Sequence, residues 1–233
     1  ECKNFFKESD LLDIRDIEVN LSKEGEILYN GEKIKQYDCV YCRGSYKYAL
    51  LQRGIAEVLE GKCYLPITPK SFTISRNKFF TLINLQKNKV DIPKTYLAGT
   101  VKSAKKILAN LKYPIIIKIP SGTHGKGVMI ADSFAGAASI LDTLENFKQP
   151  FIIQDYIETN STDIRAIVAG ENVIASMRRK AIKGEVRANI HMGAIGKAIE
   201  LSAEMEKTAI KAAKSVGAEL CAVDLFFIKI KLY

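Results

Sequence analysis

The residues best placed to do chemistry in this chain of 233 amino acids are a lysine before a glycine-rich loop and, far downstream, an aspartate inside an apolar run. Lys118 lies in the apolar segment from Pro114 to Ile119. Ser121-Gly122-Thr123-His124-Gly125-Lys126-Gly127 follows, and then Val128-Met129-Ile130. Closely spaced glycines let backbone N–H groups approach phosphate oxygens that side chains would keep at a distance. The pattern is not a Walker loop, because no Lys-Ser/Thr pair follows Gly127 and a strand, not a helix, comes next. It also lacks the G-x-G-x-x-G order. A glycine-rich hairpin can equally be a tight turn with no ligand, so the surroundings decide.

Those surroundings are rich in charge. An apolar run leads into Gln154-Asp155-Tyr156-Ile157-Glu158, followed by Asp163-Ile164-Arg165, Arg178-Arg179-Lys180 and Arg187-Ala188-Asn189. Ala222-Val223-Asp224-Leu225 then places one carboxylate in an apolar strand. A buried carboxylate is costly unless it meets a metal or a cation, and in this company a metal is the favoured partner. Phosphoryl transfer needs cations around a spreading negative charge, and Lys118, Arg179 and Arg187 could supply them. A lone arginine more often pairs with a surface acid. His124 and His191 have no catalytic partner in sequence and read as structural or loop-lining. No nucleophilic Ser or Cys motif is present.

The elements that would position these groups alternate between strands and helices, which reads as α+β in several layers. Glu26 to Tyr29 and Glu32 to Ile34 form a hairpin about Asn30-Gly31, a pair suited to positive φ. Asp38 to Cys42 reads as a short strand, Lys47 to Glu60 as a helix with Leu50, Leu51, Ile55 and Leu59 on one face, and Tyr64 to Pro69 as an extended linker. Ser75 is a candidate cap for a helix carrying Phe79 to Leu85, and another helix covers Ser103 to Leu111. Strands follow at 114–119, 128–130 and 151–154, with a helix capped by Asp132 or Ser133 between the last two. Asp163 to Ala169 pairs with Asn172 to Met177, Glu204 to Val216 is an amphipathic helix, and Leu220 to Ile230 is the final strand.

Composition bounds the function. Hydrophobic residues make up 47% and charged residues 26%, which suits a folded, water-exposed domain. No apolar run is long enough to span a membrane. The net charge of +9 suits acidic ligands, but with no Trp and no interleaving of aromatic and basic residues it argues only weakly for nucleic acid. Five scattered cysteines point to a reducing cytoplasm. Cys39 and Cys42 form a C-x-x-C pair on a stretch that reads as a strand, where positions three apart point to opposite faces, which disfavours a metal or redox role. The chain begins at Glu1 with no basic-then-apolar leader, so no signal peptide is visible and the chain can start inside a longer one.

The order of these motifs resembles the ATP-grasp ligases, and within them the RimK-type α-L-glutamate ligases, over nearly the whole chain. Cys42-Arg43-Gly44-Ser45 with Tyr48 to Arg53 resembles the family's preceding domain. Ser75-Arg76-Asn77-Lys78 resembles the stretch bearing its first phosphate-contacting lysine, and the block from Asp163-Ile164-Arg165 to Arg187-Ala188-Asn189 is the most diagnostic. The fold implied is an ATP-grasp fold, two α+β subdomains gripping ATP, preceded by a partial α/β pre-ATP-grasp domain. The boundaries are 1–69 for the partial domain and 70–233 for the grasp, divided into 70–153 and 154–233.

The resemblance also implies roles. Lys78 and Lys118 would hold ATP phosphates, with the loop bearing Gly122, Gly125 and Gly127 as a lid. Asp155, Tyr156 and Ile157 would lie along the adenine and Asp163 would face the ribose. Arg179, Arg187 and Asn189 would face the γ-phosphate and the carboxylate being activated, and Asp224 would be the first ligand of Mg²⁺ or Mn²⁺. The activity implied is cytoplasmic ATP-dependent carboxylate–amine ligation, with L-glutamate or another amino acid as donor. The acceptor carboxylate could belong to a protein tail, a pterin or deazaflavin coenzyme, or an amino-acid carrier protein. No membrane or nucleic-acid partner is implied, and a homo-oligomer is compatible.

Three departures bear on this reading. Ala194 follows Gly193 where the family often has a second glycine, and Asp155 stands where Glu is common. The third concerns the metal, which prefers several oxygen ligands: the family's Glu and Asn, roughly a dozen residues past the first aspartate, find no counterpart among the residues after Asp224. The polar stretch Glu1 to Asp10 also lacks the opening strand of the preceding domain. Both ends therefore suggest a fragment or a disrupted frame, and the alternative is a nucleotide-binding chain without catalysis.

Overall fold

A computed structural model describes residues 4–22, 24–120, 127–182, 195–228 and 231–232. The chain divides into two compact units, Glu1–Thr73 and Ile74–Tyr233. In the first, β1 (Ile17–Asn20), β2 (Glu26–Tyr29) and β3 (Glu32–Lys33) form an antiparallel sheet. The two-residue turn between β2 and β3 is Asn30-Gly31, with φ of 53° and 79°. Those positive angles match the right-handed twist of a hairpin, and Gly31 adopts its own without steric cost. Helix α1 (Ala49–Leu59) buries Ile55 and Ala56 and contacts β1 and β2.

Two expectations for this unit need correction. Asp38 to Cys42 is not a strand: Cys39 makes only an isolated bridge to Tyr64, because no neighbouring strand continues the pairing. Leu50, placed on the apolar face of α1, is 85% exposed, whereas the polar Gln52 is buried. Cys39, Cys42 and Cys63 are free thiols, and burial, with a smaller contribution from Cys63, pushes Cys42 up to about 11.

After α2 (Pro69–Ile74), which falls almost wholly in the first unit, the second unit carries α3 (Lys78–Lys87), β4 (Thr95–Ala98), α4 (Val101–Leu108), β5 (Ile115–Lys118), β6 (Val128–Ala131), α5 (Phe134–Leu144) and β7 (Phe151–Asp155). The four strands make one antiparallel sheet in the order β4-β7-β5-β6. Helices α3, α4 and α5 start at side-chain caps that satisfy otherwise orphaned N–H groups: Asn77 for α3, Thr100 in a capping box with Ser103 for α4, and Ser133 for α5. Asn77 takes the place expected of Ser75, and Thr100 starts α4 two residues earlier than the Ser103 expectation. α4 and α5 cover one face of the sheet, enclosing Leu108, Ile115, Ile117, Leu141 and Ile153. Each such side chain withdrawn from water contributes about 1.5–3 kcal/mol.

A second sheet follows, built from β8 (Thr162–Ala169), β9 (Asn172–Lys180), β10 (Ile195–Ala198) and, after α6 (Ala203–Ser215), β11 (Leu220–Leu225), in the order β10-β9-β8-β11. Alternation along β8 sends Ile164, Ala166 and Val168 toward α6, whose Ala209 and Ala213 allow a close approach. The opposite face carries Asp163 and Arg165. The expected last strand, 220–230, instead breaks after Leu225. β12 (Phe227–Ile228) turns back to pair with β13 (Lys231–Leu232) in a two-stranded sheet of its own. Among the described residues no helix is long and apolar enough to cross a membrane.

Candidate nucleotide site

Lys78 and Lys118 reach the same place from different elements. The Asn77 side chain accepts from the N–H groups of Phe79 and Phe80 at 3.0 and 3.2 Å, which fixes Lys78 in the first turn of α3. The Lys78 N–H donates to the Pro120 carbonyl at 3.0 Å, and its Nζ to the Ile119 carbonyl at 3.4 Å. Lys118, at the end of β5, donates from Nζ to Gln154 Oε1 at 2.6 Å, and Gln154 Nε2 donates to Thr95 Oγ1 at 2.8 Å. Burial lowers Lys78, and burial together with the Lys78 charge pushes Lys118 down to about 8. Two ammonium groups that disfavour each other are stabilised by an anion placed between them.

The glycine-rich loop leaves from this point. The Ile119 N–H donates to the Gly127 carbonyl at 3.2 Å, closing the base of the hairpin. Gly127 has φ +75°, and a Cβ there would lie 2.5 Å from Ile119 Cγ1, so no other residue fits without movement. Gly122 and Gly125 lie outside the described residues. Asp155 ends β7, its N–H donating to the Lys94 carbonyl at 3.0 Å. Tyr156 and Ile157 then run irregularly toward β8, half-buried, between the two sheets.

On the second sheet four charges form a square. Asp163 on β8 and Arg179 on β9 are direct cross-strand partners, joined by Nε and Nη2 to the two carboxylate oxygens at 2.6 Å each. Arg165 on β8 and Asp224 on β11 are likewise partners, at 2.7 and 2.8 Å. Arg179 closes the square diagonally onto Asp224 at 3.0 Å. The two halves differ in exposure: the side chains of Arg179 and Asp163 are 4% and 13% exposed, those of Arg165 and Asp224 37% and 44%. Burial raises Asp163 against the pull of Arg179, whereas for Asp224 burial is outweighed by Arg165 and Arg179 and the net shift is downward.

Asp224 is therefore not the buried carboxylate expected from its apolar neighbours. Among the described residues β11 is the edge strand of its sheet, and the Asp224 side chain is reachable from solvent. Arg165 and Gln154 were given no role by the sequence reading. For Arg165 the available signal was its spacing of two from Asp163, which puts both on one strand face. For Gln154 it was a polar residue in an otherwise apolar strand. Arg187 and Asn189 lie outside the described residues.

Of the two carboxylates described in the square, Asp163 is buried against Arg179, and Asp224 is the one a magnesium ion could reach. No group of three or more His, Cys, Asp or Glu among the described residues is arranged to hold a metal. Magnesium commonly takes one or two protein carboxylates and completes its shell with substrate phosphates and water. The site thus fits an ion that shares its shell with a nucleotide.

Two sheets joined by an irregular segment, one bearing paired lysines at a glycine-rich hairpin and the other a square of acids and arginines, define a nucleotide-gripping ligase architecture. The profile of the RimK-like ATP-grasp domain matches residues 75–233, and the chain belongs to this family. A probable alpha-L-glutamate ligase of Vibrio atlanticus (strain LGP32) is 32% identical over 220 residues, covering 93% of this chain and 73% of the relative. One from Cellvibrio japonicus (strain Ueda107) is 32% identical over 204 residues, covering 85% and 67%. The fold is shared with the ATP-grasp ligase PsnB in complex with a minimal precursor, Mg and ADP (TM-score 0.66, 17% identity, 93% of this chain and 76% of that one). It is shared too with D-alanine–D-alanine ligase from Bacillus anthracis (TM-score 0.62, 18% identity, 85% and 68%). The chain is of the class of ATP-dependent ligases that form carbon–nitrogen bonds, joining a carboxylate to an amine.

Proposed function

We propose that the chain is an α-L-glutamate ligase, which activates an acceptor carboxylate with ATP and joins it to the amino group of L-glutamate. The observation that carries this reading is the convergence of Lys78 and Lys118 at the base of the glycine-rich hairpin. The glutamate donor is supported by the relatives named probable alpha-L-glutamate ligases.

In this reading Lys78 and Lys118 hold phosphate oxygens while the loop around Gly122, Gly125 and Gly127 covers them. Asp155, Tyr156 and Ile157 line the adenine, and Asp163 serves the ribose side while anchoring Arg179. Arg179, Arg187 and Asn189 face the γ-phosphate and the carboxylate. The γ-phosphoryl group passes to a carboxylate oxygen as its bond to the β-phosphate oxygen breaks and ADP leaves. The amine then attacks the acyl carbon, the carbon–oxygen bond breaks with its electron pair going to phosphate, and the amine gives up a proton. Mg²⁺ or Mn²⁺, when bound by Asp224 and the phosphates, would neutralise charge on the transferring group. Residues 1–69 would form the partial preceding domain, with 70–153 and 154–233 as the two halves of the grip. The acceptor would be a protein tail or a coenzyme, and the compartment the cytoplasm.

The test is ADP release with ATP, Mg²⁺, L-glutamate and a panel of candidate acceptor carboxylates, with the products weighed by mass spectrometry. Glutamate-dependent ADP release and an acceptor heavier by one glutamyl residue are expected. Nucleotide binding without turnover on any acceptor would favour the non-catalytic alternative, and loss of no binding in Lys118→Ala would remove the site assignment.

A further inference from the structure

We infer that Arg165 is a latch on Asp224, keeping this carboxylate from a divalent cation until a nucleotide draws the guanidinium away. The inference rests on the nucleotide reading above. Arg165 and Asp224 sit directly opposite each other on β8 and β11, and the guanidinium occupies both carboxylate oxygens at 2.7 and 2.8 Å. Arg179 adds a third contact at 3.0 Å. A cation approaching Asp224 in this state meets a carboxylate already shared by two positive groups, and close like charges repel it strongly in a partly dehydrated site.

The square is built so that only one half can open. Arg179 and Asp163 are buried and fork-paired, so neither can swing out without leaving a charge uncompensated. Arg165 and Asp224 lie at the rim, where water can replace whatever the pair gives up. A guanidinium fork matches a phosphate as well as it matches a carboxylate. The arriving phosphates thus offer Arg165 a second anionic partner, and Asp224 is left with Arg179 alone while the same phosphates supply the remaining oxygens for the metal. Arg165 is in this sense a positioning residue that couples metal binding to nucleotide binding. Asp163 and Arg179 are the fixed frame against which it moves.

The experiment is Mn²⁺ binding to the full chain, read from the electron paramagnetic resonance of free Mn²⁺, with and without a non-hydrolysable ATP analogue. The wild-type chain should bind Mn²⁺ at this site far more tightly with the analogue than without it. Arg165→Gln should bind it without nucleotide about tenfold more tightly than wild type, and adding Asp224→Asn to that variant should remove the gain. Arg165→Lys, which keeps the charge but loses the fork, should stay close to wild type, and circular dichroism identifies any variant that is not folded. Nucleotide-independent Mn²⁺ binding by the wild type, lost in Asp224→Asn, would overturn the latch. So would an Arg165→Gln variant that is folded and gains nothing. Failure of the nucleotide reading looks different: the wild type then binds no ATP analogue whether Mn²⁺ or chelator is present.

Discussion

Arg165 and Arg179 each hold a carboxylate by the same two-pronged contact on one face of the second sheet, yet one pair is exposed and the other buried. Exposure decides what each is worth. Rim pairs exchange their contacts for water and contribute on the order of 0.5 kcal/mol, whereas removing one member of a buried pair typically costs about 3–5 kcal/mol. Arg179→Met should therefore lower the unfolding free energy by about 3 kcal/mol or more, and Arg165→Met by under about 1 kcal/mol. Urea melts of both variants decide the matter, and equal losses would contradict the division of the square.

Lys118 gives a pH dependence whose sign follows from its environment. Its folded value is pushed down to about 8 by burial and by Lys78, well below that of a lysine in water. Holding this ammonium in the folded chain therefore costs stability below pH 8, and the cost fades as pH rises from about 8 toward the unfolded value. Lys118→Met removes this cost at pH 7, about 2 kcal/mol given that the group is only partly buried, against about 1 kcal/mol for the donor that Gln154 Oε1 loses. Its advantage over wild type should shrink as thermal melts are repeated up to pH 10. A constant difference across that range would show that Lys118 is not desolvated.

Gly127 is required twice over, by its φ of +75° and by the 2.5 Å a Cβ would leave to Ile119. The left-handed backbone costs Ala about 1 kcal/mol, and the clash adds about 1–3 kcal/mol. Gly127→Ala should lower the melting temperature and weaken nucleotide binding, since it opens the base of the loop beside Lys118. In an Ile119→Ala background the loss from Gly127→Ala should be smaller, a partial recovery, because the overlap is gone and the backbone strain remains. No recovery would place the whole effect in the backbone.

The hairpin at Asn30-Gly31 was legible in sequence because two adjacent positive φ angles leave few residue choices. β8 was legible because its alternation survives, and β9 because Gly170-Glu171 turns the chain back onto it, although β9 runs on to Lys180, past the expected end at Met177. β1, β4 and β10 were not, since a four-residue strand such as Ile17 to Asn20 is defined by the neighbour it pairs with and not by its own pattern. The reverse error at Asp38 to Cys42 has the same cause: an apolar run with no partner strand makes only one bridge, to Tyr64. In the site, the order of charged motifs singled out segments that the structure brings together on the second sheet, but the partner of each charge was hidden. Arg165 and Asp224 are 59 residues apart, and only the register of β8 against β11 makes them neighbours. That register also explains why Asp224 was expected to be buried: apolar neighbours in sequence say nothing about an edge position in the sheet.

Nucleotide affinity should carry its own signature of the two lysines. Phosphate oxygens between Lys78 and Lys118 favour the charged form of both, so binding below pH 8 finds Lys118 already protonated, and binding above it must draw a proton from solvent. Affinity for an ATP analogue, measured with a chelator present so that metal plays no part, should be flat up to about pH 8. Above that it should fall by up to about tenfold per pH unit. Proton uptake on binding, read as a dependence of calorimetric heat on buffer ionisation enthalpy, should rise over the same interval. Lys118→Met should bind more weakly throughout and lose the pH dependence, whereas Arg165→Gln should keep it, because its partner Asp224 belongs to the other sheet. A wild-type affinity independent of pH between 7 and 9.5 would mean that the phosphates do not lie against Lys118.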